Sequence, residues 1–88
     1  MEYYVYILTC SDDTFYTGIT NDLVRRLSEH NKKTGAHYTK TRTPVVLSYY
    51  EYCGTRSEAL KREAQIKRMT RIKKQQIIEE CGTDIIDK

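Results

Sequence analysis

The length of the chain is the feature that most restricts its fold. With 88 residues it has room for one domain, because domains commonly contain about 100–200 residues. A domain of this size buries only about 60–65% of the surface of its unfolded chain, so its single core is thin. The length therefore excludes a doubly wound cofactor-binding fold, a barrel enzyme and a multi-domain protein. We assign residues 1–82 to the domain and expect residues 83–88 to form a frayed tail.

The cysteines and the apolar segments indicate where such a chain works. Its three cysteines, Cys10, Cys53 and Cys81, are widely spaced and include no CxxC pair, so they predict neither a disulfide framework nor a zinc site. No apolar run approaches the ~20 residues of a membrane span, and the N-terminus lacks the pattern of a signal peptide. These features predict a cytoplasmic protein with free thiols that does not enter a membrane.

Apolar runs, turn residues and capping residues predict the element order β-β-α-β-α-α. The first strand, 3–8, is apolar on both faces and pairs antiparallel with a second strand that resumes at 15–17. The remaining predicted elements are a helix from the capping residues Thr20, Asn21 and Asp22 to about 33, a polar loop at 35–43, a strand at 45–52, and helices over 57–67 and on to 80 with a break near Thr70. Together they predict an α/β fold in which helices flank a small three-stranded antiparallel or mixed sheet.

Positive charge is concentrated in the middle of the chain. The whole chain has 15 lysines and arginines against 12 acidic residues, a net charge of +3. Residues 24–74 alone hold 14 basic residues and four acidic ones, whereas the two flanks hold one basic and eight acidic residues. Such segregation favours a polyanionic partner such as nucleic acid. The alternative is that these basic residues lie on solvent-exposed helix faces and bind no partner.

The first predicted helix places an arginine and a histidine beside an apolar stripe. Its period puts Leu23, Leu27 and His30 on one stripe. Arg26 lies four residues before His30 and projects with it from the edge of the buried face, whereas Arg25 points to solvent. The pair fits either a catalytic site or a core in which the histidine is hydrogen-bonded to other protein groups. A buried arginine, however, needs an anion as a partner.

The next predicted helix carries a carboxylate on its apolar stripe. Ala59, Glu63, Ile66 and Thr70 recur at a spacing that puts them on one face. Carboxylates are seldom buried unless they are paired or bound to a metal. Glu63 is therefore either the partner of a cation, such as Arg26 or a neighbouring lysine, or the ligand of one divalent metal ion.

Two tyrosine motifs lie on either side of the predicted hairpin. Tyr4-Val5-Tyr6 and Tyr16-Thr17-Gly18 are separated by nine residues. Arg26 follows the second motif by eight positions, and His30 follows Arg26 by four. In order and spacing, these elements and Glu63 resemble the paired motif, the arginine helix and the metal-binding glutamate of the GIY-YIG nuclease superfamily.

The resemblance covers residues 3 to about 75 and has three departures. The short length and the segment GAHYTK at 35–40 resemble the small stand-alone bacterial branch of the superfamily. Tyr4 stands where the first family motif begins with glycine, and Thr17 departs from the family pattern at the middle of the second motif. No asparagine follows Asn31, whereas many family members carry a late asparagine at the site.

The resemblance implies a metal-dependent hydrolysis of phosphodiester bonds in DNA, with RNA as the alternative substrate. It assigns Glu63 to one Mg²⁺ or Mn²⁺ ion and Arg26 to the charge that builds on the phosphoryl oxygens. Tyr6 would deprotonate or orient the attacking water, provided that nearby cations lower its pKa from the ordinary value of about 10. Tyr16 would hold the nucleophile or the phosphate, and His30 would relay a proton or bind phosphate.

The predicted nucleic-acid contacts lie mainly in the basic loop and the helices beside it. They are Thr20, Lys32, Lys33, His37, Tyr38, Lys40, Arg42 and Lys67. Two other classes of function fit the same residues: a nucleic-acid-binding domain with a vestigial site, and a protein-interaction domain. Steep salt dependence of binding separates the last class from the others, and metal-dependent nicking separates the enzyme from the inactive binder.

Overall fold

The computed structural model of the protein describes residues 2–81, which form a three-stranded sheet with helices on both faces. The elements are β1 (Tyr3–Thr9), β2 (Phe15–Thr20), α1 (Leu23–Asn31), α2 (His37–Lys40), β3 (Val46–Gly54), α3 (Arg56–Lys67) and α4 (Arg71–Cys81). The predicted α/β class and element order are confirmed, with α2 as the one addition. The predicted tail at 83–88 lies outside the described residues.

Strand β1 is the centre of the sheet, and this position explains its composition. The strand order is β2-β1-β3, and both pairings are antiparallel. Tyr6 of β1 lies opposite Gly18 of β2 and opposite Tyr50 of β3. Because β1 has a neighbour on each side and helices on each face, the side chains on both of its faces are buried, as its sequence predicts.

The alternation of side chains along β1 divides the core between the two faces of the sheet. On one face, Val5, Ile7 and Tyr49 pack with Ile66 of α3 and Ile77 of α4. On the other face, the buried residues are Tyr6, Leu8, Cys10 and Val45, with Leu23 and Leu27 of α1 packed against them. Helix α1 therefore covers the face that carries the two motif residues Tyr6 and Gly18.

Helix α1 begins and ends at residues whose local chemistry explains the boundary. Asp22 is the N-cap, and its carboxylate accepts a hydrogen bond from the backbone N–H of Arg25 at 3.0 Å. The helix ends at Asn31, about two residues earlier than predicted. Lys33 adopts a left-handed conformation, with φ of 66°, which a continuing helix does not allow.

Threonine hydroxyls cap the two C-terminal helices. The Thr55 hydroxyl accepts a hydrogen bond from the backbone N–H of Glu58 at 3.2 Å, and that of Thr70 accepts from Lys73 at 3.2 Å. The predicted break near Thr70 therefore separates α3 from α4. None of the helices in the described part of the chain is long and apolar enough to cross a membrane.

One expectation about the fold is wrong. The segment predicted as a loop contains α2, a single helical turn that is too short to produce a periodic pattern. In β3, which is an edge strand, Tyr50 and Tyr52 are 41% and 55% exposed. Cys10 and Cys53 are free thiols, as predicted, whereas the side chain of Cys81 lies outside the described part.

Candidate active site

Three aromatic rings from three elements meet under helix α1. The Tyr6 and Tyr16 rings come from paired strands, and their centroids are 6.4 Å apart. The His30 ring from α1 packs edge-on against both, at 5.9 Å from Tyr6 and 5.2 Å from Tyr16. Tyr6 and His30 are buried and Tyr16 is half-buried. The structure thus brings together three of the predicted site residues, and we call them the aromatic cluster.

The position of the Tyr6 ring depends on the glycine at the end of the second motif. Gly18 is the cross-strand partner of Tyr6. A Cβ atom on Gly18 would lie 2.7 Å from the Tyr6 hydroxyl oxygen and 3.2 Å from the Tyr16 ring. The Tyr6 phenol therefore lies across the bare backbone of β2, which explains why glycine is required there.

A series of hydrogen bonds runs through the aromatic cluster. Arg26 Nε donates to the Tyr6 hydroxyl oxygen at 3.4 Å, and this oxygen lies 2.9 Å from His30 Nε2. On the opposite edge of the imidazole, Nδ1 lies 2.7 Å from the hydroxyl of Thr39, which is fully buried. Sequence reasoning missed Thr39 because it lies in a polar segment that carries no periodic signal.

A second glycine lets the loop that carries Thr39 approach His30. A Cβ atom on Gly35 would lie 2.7 Å from His30 Nδ1 and 3.0 Å from His30 Cα. Only a residue without a side chain lets the backbone pass this close to the imidazole. Gly35 therefore places α2, and with it Thr39, against the C-terminal end of α1.

Burial controls the protonation of both groups at the centre of the cluster. It raises the pKa of Tyr6 to about 12, although the hydrogen bond from Arg26 acts in the opposite direction. Burial, and then the positive charge of Arg26, lower the pKa of His30 to about 4. Arg26 therefore does not by itself lower the pKa of Tyr6, which was the condition for Tyr6 to act as a base. Both side chains are neutral at pH 7.

The two adjacent arginines of α1 differ as the helical angle predicts. The Arg26 side chain is 30% exposed and forms an ion pair with Glu29 at 3.0 Å, whereas that of Arg25 is 56% exposed and lies 3.6 Å from Glu29. Glu29 is thus the anion that the partly buried Arg26 requires. The alternative that Glu63 pairs with Arg26 is wrong.

Helix α3 supplies the carboxylate of the candidate site. The Glu63 side chain is 19% exposed and forms an ion pair with Lys67 at 3.4 Å. Its negative charge is the smallest of the contributions that shift the pKa of Tyr6, and it acts in the same direction as burial.

The donors present fit a hard divalent ion that keeps part of its water shell. Within residues 2–81 no three His, Cys, Asp or Glu side chains are grouped to hold an ion. Mg²⁺ commonly binds through one or two carboxylates together with water and substrate phosphate. Glu63 can supply such a carboxylate. A second protein ligand is not needed for this type of site.

Four of the predicted nucleic-acid contacts already have protein partners: Thr20, Tyr38, Arg42 and Lys67. The Thr20 hydroxyl accepts a hydrogen bond from the backbone N–H of Asp22 at 3.0 Å, and Thr20 is buried. Tyr38 stacks on Tyr16 with centroids 6.0 Å apart. The Arg42 guanidinium lies 4.1 Å from the centre of the Tyr38 ring and pairs with Asp12 at 2.9 Å. Tyr38 and Arg42 thus extend the aromatic cluster outward.

The other predicted contacts and Lys67 are surface residues. Lys32, Lys33, His37 and Lys40 are exposed around the C-terminal end of α1 and α2. Lys67 is the partner of Glu63 on α3. These side chains can reach a polyanion without any rearrangement of the core.

A groove of about 270 Å³ lies beside Arg26. It is lined by Tyr3, Ile19, Thr20, Asn21, Arg25, Arg26, Glu29 and Arg56. We call it the arginine groove. Arg56, the first residue of α3, was not among the predicted contacts, because no sequence pattern connects it with α1. Three guanidinium groups and one carboxylate make this groove suited to an anion.

The paired tyrosine motifs, the arginine helix and the glutamate define a class of nuclease domain. Residues 2–76 match the model of the GIY-YIG catalytic domain, so the chain belongs to the GIY-YIG family. This membership indicates a nuclease-type domain with a nucleic-acid partner.

Close relatives are UPF0213 proteins. The chain is 58% identical over 83 residues to a UPF0213 protein of Haloquadratum walsbyi, covering 94% of this chain and 92% of the relative. It is 48% identical over 79 residues to one of Staphylococcus haemolyticus, covering 90% of this chain and 96% of the relative. The names of these relatives state no substrate.

Solved structures of similar proteins share the fold. The solution NMR structure of a UPF0213 protein from Bacillus halodurans superposes with a TM-score of 0.61 at 39% identity, covering 93% of this chain and 87% of that chain. That of a protein from E. faecalis has a TM-score of 0.62 at 44% identity, covering 91% of this chain and 85% of that chain. The three-stranded sheet with its helices is therefore the fold of this group.

Proposed function

We propose that this protein is an endonuclease that hydrolyses phosphodiester bonds in DNA with one Mg²⁺ or Mn²⁺ ion held at Glu63. The observation that carries the proposal is the hydrogen-bonded series of Arg26, Tyr6 and His30, together with the half-buried carboxylate of Glu63 on α3. A cation, a proton-exchanging pair and a carboxylate are the groups that metal-dependent phosphodiester hydrolysis needs.

Glu63 is the protein group that holds the metal. When bound, a divalent ion polarises the phosphoryl group and stabilises the leaving oxygen. The carboxylate is half-buried, and its partner Lys67 has a side chain that is 55% exposed. Since ion pairs of exposed lysines contribute about 0–1 kcal/mol, Glu63 exchanges Lys67 for a metal ion at little cost.

Arg26 binds the phosphate and stabilises the charge that develops on its oxygens. A guanidinium has five N–H donors in a fixed plane. In the structure, Nε donates to the Tyr6 hydroxyl and Nη1 to Glu29. Donors are left over for a phosphate oxygen, and the bonds to Tyr6 and Glu29 hold the guanidinium in place before the substrate binds.

Tyr6 and His30 move the proton of the attacking water. With a pKa of about 12, Tyr6 is a neutral phenol at pH 7 and exchanges protons instead of acting as a free phenolate. Its oxygen takes a proton from water while its own proton passes to His30 Nε2, 2.9 Å away. The charge of Arg26 lowers the pKa of His30. A phosphate bound at Arg26 offsets that charge, so the substrate makes His30 a better proton acceptor.

Nicking of supercoiled plasmid with Mg²⁺ or Mn²⁺ tests the proposal on the Glu63→Gln variant. Loss of the metal-binding carboxylate should lower the cleavage rate by roughly 10²–10⁴. DNA binding should persist or tighten, because a negative charge near the phosphate is removed. The thermal unfolding temperature should change little, because the partner that Glu63 loses is the exposed Lys67.

Glu58→Gln is the matched control on the same helix. Glu58 is exposed and pairs with Lys61 at 3.5 Å, so its replacement should leave the cleavage rate unchanged. Normal nicking by the Glu63→Gln variant would overturn the metal assignment. Salt-dependent DNA binding by the wild-type protein without cleavage would instead indicate a nucleic-acid-binding domain with a vestigial site.

A further inference from the structure

We propose that Thr39 is a positioning residue that fixes the tautomer of His30, so that the imidazole accepts the hydrogen bond from Tyr6. The catalytic consequence rests on the proposed function, whereas the tautomer itself does not. Thr39 acts through His30 and does not contact the substrate. No motif of the paired tyrosines includes it.

The Thr39 hydroxyl has a single proton and two close neighbours. Its oxygen lies 3.0 Å from the Ala36 carbonyl oxygen and 2.7 Å from His30 Nδ1. The Ala36 carbonyl oxygen accepts from the Thr39 backbone N–H at 3.2 Å and has a second lone pair, to which the Thr39 hydroxyl donates its proton. The short contact with His30 is then a hydrogen bond in which Nδ1–H donates to the Thr39 oxygen. A neutral imidazole protonated at Nδ1 has an unprotonated Nε2.

The hydrogen bonds at the Tyr6 end of the series agree with a His30 ring that is protonated at Nδ1. Tyr6 is buried, and its hydroxyl oxygen contacts Arg26 Nε, which only donates, and His30 Nε2. If Nε2 carried the proton, the Tyr6 hydroxyl would receive two donors, and its own proton could pass only to the water that the proposed function places beside it. With Nε2 unprotonated, every donor in the series has one acceptor.

Burial increases the difference in free energy between the two neutral tautomers of His30. His30 and Thr39 have no exposed surface, so bulk water does not replace a missing partner at either group. A buried donor or acceptor without a partner is unfavourable, because it loses its hydrogen bonds to water and gains none in the protein. The tautomer in which Nδ1–H donates to Thr39 is therefore preferred in the wild-type protein.

The segment at 35–39 thus sets the direction of proton transfer. Gly35 allows the backbone to approach the imidazole, Ala36 accepts the Thr39 proton, and Thr39 accepts the proton of Nδ1. Only the resulting tautomer lets Nε2 take the Tyr6 proton as Tyr6 takes one from water. In the opposite tautomer Nε2–H would donate to Tyr6 and block that transfer.

The test combines ¹⁵N NMR of the His30 ring with single-turnover DNA cleavage on the full chain. The chain has two histidines, so the His30 signals are assigned by comparison with a His37→Gln variant. Wild type and Thr39→Ser should show Nδ1 protonated and Nε2 unprotonated. Thr39→Val keeps the shape but removes the acceptor of Nδ1–H, so the proton should shift to Nε2, where the Tyr6 oxygen accepts it. Its kcat should fall by roughly 10²-fold with KM nearly unchanged, and serine should restore kcat.

Thr41→Val, an exposed threonine beside the same helix, is the matched control and should keep both the tautomer and kcat. A wild-type ring protonated at Nε2 would overturn the inference without any variant. So would a Thr39→Val protein that keeps the wild-type tautomer and rate. If the tautomer shifts as expected but no preparation cleaves DNA with metal, the positioning by Thr39 is supported and the proposed nuclease activity fails.

Discussion

At the scale of single residues, two neighbouring arginines with the same side chain have different environments. Arg26 contacts the Tyr6 hydroxyl, whereas Arg25 lies on the exposed side of α1 with Asn21 as a hydrogen-bond partner. We expect Arg26→Ala to lower the single-turnover cleavage rate by roughly 10²–10³. Arg25→Ala should mainly weaken substrate binding at subsaturating DNA. Equal losses of rate at saturating DNA would show that Arg26 has no special position.

His30 should make the stability of the protein depend on pH. The folded protein holds the pKa of His30 near 4, below its ordinary value of about 6.5. Between these values the unfolded chain binds a proton that the folded protein does not, so unfolding is favoured as the pH falls from about 6.5 to 4. The loss from this residue is on the order of 3 kcal/mol and is complete below about pH 4.

Urea unfolding of wild type and His30→Gln at pH 7, 5.5 and 4.5 measures this contribution. Carboxylates such as Asp12, whose pKa is lowered by its hydrogen bonds to Thr14 and Arg42, titrate in both proteins. The difference between the two pH profiles therefore belongs to His30. Parallel profiles would mean that the imidazole is not held neutral by burial.

Part of the candidate site could be predicted from the sequence, and part could not. The helical angle correctly placed Arg26 beside His30, and the motif spacing placed Tyr6 beside Tyr16. Glu29 was not predicted as the partner of Arg26, although it lies three residues away on the same helix. Contacts such as that of His30 with Thr39 have no sequence signal, because they depend on how a loop folds back onto a helix.

At the scale of elements, the close approach of β1 and β2 requires Gly18. We expect Gly18→Ala to displace the Tyr6 ring, because the new methyl group would lie 2.7 Å from its hydroxyl oxygen. Overpacking of this kind costs about 1–3 kcal/mol. Loss of the Tyr6–His30 hydrogen bond should lower the cleavage rate as well. Thermal unfolding and plasmid nicking measure the two effects.

Gly54→Ala is the control for that prediction. Gly54 has φ of 81°, so alanine is strained there, but the nearest atom to a new Cβ is 3.7 Å away, on Tyr52. The variant should lose stability and keep its cleavage rate. If both glycine variants lose rate in proportion to stability, the Gly18 effect is general and not specific to Tyr6.

The elements themselves were predictable where capping and turn chemistry marked their limits. Asp22, one of the predicted capping residues, caps α1, and Thr70 lies at the predicted break and caps α4. The short helix α2 was missed because four residues have no period and Ala36 provides no side-chain cap. The exposure of Tyr50 also depends on which strand is at the edge, and this follows only from the full topology.

At the scale of the whole molecule, the fold brings arginines that are far apart in the sequence together in one groove. The net charge is only +3, but arginines from α1 and from the start of α3 line the same groove beside the aromatic cluster. A nucleic-acid backbone in the arginine groove would place one phosphate near Arg26 and its neighbour toward Arg56. The groove would then determine the path of the strand without reading its bases.

Arg56→Ala tests this path. Loss of one phosphate contact should weaken DNA binding to a similar degree on unrelated sequences and reduce the slope of log K against log salt by about one unit. The rate at saturating DNA should change little, since Arg56 is not part of the aromatic cluster. Lys61→Ala is the matched control, because Lys61 is on the same helix but lines a different cleft with Glu51 and Glu58. Titrations from low to high salt should show a changed slope for the Arg56 variant alone; equal changes in both variants would show that binding follows net charge and not the arginine groove.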